Sequence, residues 1–227
     1  MCTDLIYSLY KNITRGGTYW YMRYQYYADR ILDGFKFEGD IPNIVELAEK
    51  LDIEILISES RDPKYGPVFN FYGTPWIHLA LPKQQNLFNP KKKYHLLINS
   101  SSATEQREWI AYYIVVAYLL EHQYISVEFC THLYVGNASL RNDTFHRIAC
   151  SLLIQHDALF SWTAKNAKGY KSYRDWPMEL KLRAAAHFAV SVDLIEERFN
   201  ISEHSVGLLL SSGDYIRVSK YNSKPEQ

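Results

Sequence analysis

Residues 107–122 read REWIAYYIVVAYLLEH. From Trp109 to Leu120 every residue is apolar or aromatic, so a helix built on this stretch has no wet side. A helix that is apolar all round belongs in the centre of a domain. This one is well short of the roughly 20 residues needed to span a bilayer, so protein must cover it. With 227 residues and 47% hydrophobic content, the chain is long enough to do so, as one domain or as a domain with an appendage, without disulfide or metal staples.

Charge and cysteine usage narrow the partners. Lys plus Arg and Asp plus Glu both number 25, so no global field draws the chain to nucleic acid, an anionic membrane or an acidic substrate. Cys2, Cys130 and Cys150 have no CxxC spacing, which argues against a disulfide framework and a thiolate zinc site and fits a reducing compartment. The start, MCTDLIYSLYKNITRGG, lacks the basic, apolar and small-residue succession of a signal peptide. The expectation is a cytoplasmic protein with no membrane partner.

Between Asp4 and Leu32, helix-forming stretches flank Gly16-Gly17, and the second, TYWYMRYQYYADRIL, is crowded with rings. Tyr19, Met22, Tyr26 and Tyr27, with Arg23 and Arg30 between them, have the makings of a base-stacking surface. Such spacing more often forms the buried stripe of an amphipathic helix, which is the expectation adopted. From Asp40 the pattern changes: Asp40 is placed to cap, Pro42 suits a first turn, and Ile44, Leu47, Ala48 and Leu51 recur at helical spacing. Ile53, Ile55 and Ile57 then alternate as a half-buried strand. VFNFYG and WIHLAL read as strands around Gly73-Thr74-Pro75. KKKYHLLINS reads as a further strand whose lysines, Lys91 to Lys93, guard an edge.

This order of pieces, VELAEKLDIEILI, strands ending in LLINSS, then a helix opening with Arg, resembles the ImmA/IrrE family of zinc metallopeptidases, which cut or disable repressors in phages, mobile elements and stress responses. The resemblance runs from about Ile41 to about Phe199. The family's central helix reads approximately RFTIAHELGHYLL, two His one turn apart holding zinc and the Glu between them serving as general base. Matching RxxIA to Arg107, Ile110 and Ala111 sets Tyr112 and Val116 at the His positions and Tyr113 at the Glu. The family's third ligand, usually Glu, comes from a helix similar to RNDTFHRIACSLLIQ, where the acid falls near Asn142 or Asp143. LRAAAHFAVSVDLIEERF resembles the family's closing segment at Ala185, Phe188, Val190, Ser191, Ile195 and Arg198. Similar wording occurs in helix-turn-helix units.

The resemblance implies an α+β fold, with a small mixed or antiparallel sheet, a central buried helix and a helical C-terminal part on a zincin-like scaffold. Residues 1–39 form a helical, aromatic-rich N-terminal segment, 40–200 the peptidase-like domain and 201–227 an extension. A divergent metal set of His122, His146 and Asp143 lacks the spacing that puts two imidazoles on one helix face. Cys130 and Cys150, near His132 and His146 in sequence, sit among apolar neighbours where packing is the usual role. No GxSxG, phosphate loop or Rossmann fingerprint is present.

The expectation is therefore a noncatalytic protein without metal or cofactor that binds a regulator, such as a repressor or host defence factor of interest to a bacterial phage or mobile element. Tyr112 and Tyr113 fill the volume that metal, water and substrate occupy in a relative. Tyr170, Tyr173, Arg174 and Trp176, in WTAKNAKGYKSYRDW, have the composition of interface anchors; packing on the scaffold is the competing role. Two alternatives remain. One is a DNA-binding regulator using Leu182 to Phe199, although Asp193, Glu196 and Glu197 make its second helix acidic where the major groove favours basic residues. The other is a divergent zinc metallopeptidase acting on a regulator.

Overall fold

A computed structural model describes residues 20–37, 39–57, 68–71, 91–98, 102–125, 143–170 and 172–201. In chain order these give α1 (Trp20–Leu32), α2 (Ile44–Lys50), β1 (Ile53–Ile57), β2 (Val68–Phe71), β3 (Tyr94–Ile98), α3 (Ala103–Glu121), α4 (Asp143–Leu153), α5 (His156–Asn166), a 3₁₀ turn (Tyr173–Asp175) and α6 (Met178–Phe188). A last helix, α7, occupies 192–201. The class is α+β, mostly helical. The strand expected at WIHLAL, residues 1–19, Cys130, His132, Asn142 and nearly all of the extension lie outside the described residues.

The sheet is not purely antiparallel. β3 lies between β1 and β2, parallel to the first with Ile53 opposite Tyr94 and Ile57 opposite Ile98, and antiparallel to the second with Phe71 opposite Tyr94. All five β3 residues are buried, as a central strand requires. The lysines before it therefore do not guard an edge. Lys92 pairs with Asp52 at 3.1 Å, and Lys93 pairs with Glu121. Tyr94 Oη also donates to Glu121, at 2.9 Å, which ties the start of β3 to the end of α3. β1 loses burial along its length, from buried Ile53 to Ile57 at 54% exposure, so its alternation is only partly inward.

α3 occupies the centre, as its composition demands. Ser102 caps it, accepting from Glu105 N at 3.3 Å, so that the helix begins at Ala103, ahead of Arg107. The ten residues from Ile110 to Leu119 are all buried. Each large aliphatic among them contributes about 1.5–3 kcal/mol of transfer free energy. α3 packs on α2, β3 and α4, and α4 packs on α1. Tyr24, Ala28, Ile31 and Phe35 belong to the same core as α3. Of the expected stripe of α1, Tyr27 packs against this core and Tyr26 is 52% exposed, while Tyr24, outside that stripe, is buried; the side chains of Tyr19 and Met22 lie outside the described residues.

Two local signals resolve differently from the reading of the sequence. α2 is capped by Asn43, whose Oδ1 accepts from Glu46 N at 3.3 Å, and not by Asp40. Asp40 instead meets His187 of α6 at 3.1 Å. Buried Pro42 lies just outside the helix. α6 and α7 are separated by Ala189 in the left-handed region (φ 51°), a conformation that costs an L-residue other than Gly or Asn. Val190 N then bonds back to Ala185 O at 3.0 Å, closing α6.

α7 is held by an unusual anchor. The Arg198 side chain is fully buried, its Nε donating to Ile154 O at 2.8 Å and its Nη2 to Gln25 Oε1 at 2.7 Å. Ile154 follows the last turn of α4, where carbonyls lack helical partners and the dipole favours a cation. One side chain thus joins α7, α4 and α1.

Candidate functional site

Two places on α3 bear on function. The first is its middle, where the family resemblance would set metal ligands. Trp109 stacks on Tyr113 with ring centroids 6.0 Å apart and meets Tyr112 edge-on at 5.9 Å. Tyr112 and Tyr113 are edge to face at 5.2 Å, and Tyr112 lies 6.1 Å from Phe145 of α4. Edge-to-face and offset rings are the favoured arrangements. Tyr112, Tyr113 and Val116 are respectively 7%, 6% and 3% exposed. Two neutral phenols and a valine, packed among rings, do not fit a zinc ion, which requires imidazole, thiolate or carboxylate donors.

His122 and His146, the histidines of the divergent metal set, do not converge. Asp143 opens α4, and its side chain lies outside the described residues. His122 caps the far end of α3, its Nδ1 2.9 Å from Tyr118 O. His146 lines a cleft with Glu108. At 1.5 Å per residue, Glu108 and His122 are about 20 Å apart along the axis. Among the described residues no group of three or more His, Cys, Asp or Glu is placed to hold a metal ion. Cys150 is fully buried, its Sγ 3.4 Å from Leu194 O, and burial pushes the thiol well above its ordinary value. A thiol in that state is a packing group.

The interface candidates divide. Tyr170 is 44% exposed, but Tyr173 and Trp176 are 4% and 5% exposed. The expectation that they stand out as anchors is corrected by their packing: Tyr173 stacks on Phe199 at 4.7 Å, and Trp176 meets Phe199 at 4.9 Å and Trp162 at 5.7 Å. The cause is local. Ser172 and Asp175 form a reciprocal capping box, which turns the chain so that Arg174 faces solvent and the rings on either side face inward. Burial raises the Tyr173 hydroxyl to about 12, helped by Glu196 and Asp193.

The second place is a cleft of about 530 Å³ at the N-terminal end of α3, which the sequence did not bring to notice. Ser102, Thr104, Glu105 and Glu108 line it from α3 and its cap, His146 from α4, and Ser191, Asp193, Leu194 and Glu197 from α7 and its cap. Two helix starts meet there. Ser191 caps α7, accepting from Leu194 N at 3.2 Å, and Glu108 Oε1 accepts from Ser191 N at 2.7 Å. Glu197 pairs with Arg147 Nε at 3.0 Å. Glu105 and Asp193 are exposed. Acidic residues in first turns are favoured by the helix dipole, and both serines serve as caps, so the lining offers carboxylates, one imidazole and the Thr104 hydroxyl. Its chemistry is suited to a cationic group. The pattern VSVDLIEE held the signal, a serine cap followed by acids at the second, fifth and sixth positions of a helix, but it gave no hint of what α7 would face.

Comparison with known proteins returned no matching family model, no matching curated protein and no matching solved structure.

Proposed function

We propose that this chain is a noncatalytic regulator that acts by binding another protein, on a scaffold related in outline to the ImmA/IrrE metallopeptidases. The observation that carries the reading is the state of the α3 midpoint: Tyr112, Tyr113 and Val116 are packed core. A helix in that state supports a structural role for the segment and leaves binding to the surface. The target class, a repressor or host defence factor met by a bacterial phage or mobile element, rests on the resemblance alone.

The acidic cleft is the surface we assign to the partner, taking a lysine or arginine side chain from it. Glu105 and Asp193 supply charge that attracts such a group over a Debye length of about 8 Å at physiological salt. The same acids disfavour duplex DNA, whose phosphates require a basic helix. Among the described residues no helix is long and apolar enough to cross a membrane. The test is affinity capture from bacterial lysate with mass spectrometry, using the parent and a Glu105→Lys, Asp193→Lys variant shown by cooperative unfolding to remain folded at the capture temperature. A protein recovered with the parent and lost with the variant is expected. Equal capture by both would assign binding elsewhere. A salt-sensitive DNA mobility shift with no protein recovered would replace the reading with that of a DNA-binding regulator.

A further inference from the structure

Arg107 stands one turn inside the start of α3, and its guanidinium reaches the segment before α2, where Nη1 donates to Pro42 O at 3.1 Å. Its other two nitrogens, Nε and Nη2, are buried and donate to no protein atom among the described residues. In folded proteins at least nine in ten buried polar groups have a partner, and an exception calls for a ligand, an ion or an ordered water. The pair left over is chemically specific. Nε–H and Nη2–H point the same way from one side of the guanidinium plane, a fork whose spacing matches the two oxygens of a carboxylate.

Two carboxylates close by in the chain are occupied elsewhere. Glu108, the next residue, accepts from Ser191 N, and Asp40, two residues before Pro42, meets His187. Burial draws the Arg107 pKa down to about 10, the direction expected of a cation removed from water without a counter-ion, and still far enough above neutrality to keep it charged. A single positive charge is neutralised by a single carboxylate. A phosphate dianion would leave surplus negative charge beside Glu105 and Glu108, the neighbours of Arg107 on the same helix.

We propose that the Nε–Nη2 edge of Arg107 is a carboxylate-binding site, filled by a small organic acid or by an acidic side chain of a partner. The site is distinct from the acidic cleft and does not depend on the regulator reading. Both nitrogens are shut off from solvent, so occupancy requires a local opening. The expected signature is a second Nε–H resonance that grows with ligand, not a progressive shift.

The experiment follows the Arg107 Nε–H signal of the full chain by ¹⁵N-resolved NMR, assigned by its loss in Arg107→Lys. Sodium acetate is titrated against sodium chloride at constant ionic strength and pH 7, with a parallel titration using an end-blocked peptide containing one glutamate. Acetate, and not chloride, is expected to produce the second resonance and to raise the melting temperature by a few degrees. Arg107→Lys, which keeps the charge and loses the fork, is expected to abolish that rise. A response to acetate alone assigns a small acid, and a response to both assigns access to a protein side chain. No acetate response beyond chloride, a full melting-temperature rise in Arg107→Lys, or a stronger response to sodium phosphate would overturn the proposal.

Discussion

The middle and the beginning of α3 lie about one turn apart and have opposite chemistry. At Tyr112, Tyr113 and Val116 the helix is dry and packed ring against ring. At Glu105 and Glu108 it carries acids into a cleft shared with α4 and α7. A helix keeps titratable groups where solvent or a cap can satisfy them and gives them up where neighbours surround it on all sides, because an unpaired buried charge must stay desolvated or become neutral. In this chain Glu105 and Glu108 line a cleft at the helix start, and the centre is packed core.

The largest test of that contrast is Val116→Asp. Placing a carboxylate among Tyr112, Tyr113 and their neighbours is expected to destabilise the fold by on the order of 3–5 kcal/mol, read by urea unfolding. Melting like the parent would mean that the helix centre is wet. Next in size is Arg198→Met, which keeps the hydrocarbon but leaves Ile154 O and Gln25 Oε1 without their donor. The expected loss is about 2–3 kcal/mol, and a neutral result would show that α7 is held by its apolar face alone.

Smaller effects sharpen the other side of the comparison. Ala189→Gly relieves the left-handed junction that sets α7 against the cleft and is expected to stabilise by about 1 kcal/mol; a loss of stability would place the Ala189 methyl in a packing role. Glu105→Lys with Asp193→Lys reverses charge at two exposed first turns. Stability is expected to fall by no more than about 1 kcal/mol in total, seen as a change of a few degrees in Tm. A collapse comparable to Val116→Asp would make the cleft part of the core and remove the contrast.

Much of the fold could be read from residue order. The apolar run in α3, the helical spacing of Ile44, Leu47 and Ala48, and the strand YHLLI each followed from periodicity, because burial on all or one side leaves a direct mark on composition. Long-range choices left no such mark. That β1 pairs in parallel with β3, that Asn43 caps α2 while Asp40 goes to His187, and that Lys92 and Lys93 neutralise Asp52 and Glu121 depend on which segments meet. Tyr173 and Trp176 show the limit most clearly, since the same residue types suit an interface anchor and a core ring, and a capping box from Ser172 to Asp175 decides which they are. The cleft was illegible for a related reason: its acids come from two helices more than 80 residues apart.

Zinc content distinguishes most directly an α3 midpoint that is core from one that is a metal site. Protein purified from zinc-supplemented cells and analysed by elemental mass spectrometry is predicted to carry far less than one zinc per chain, with no change in melting temperature on chelation. One zinc per chain, lost with Asp143→Ala or His122→Ala, would contradict it.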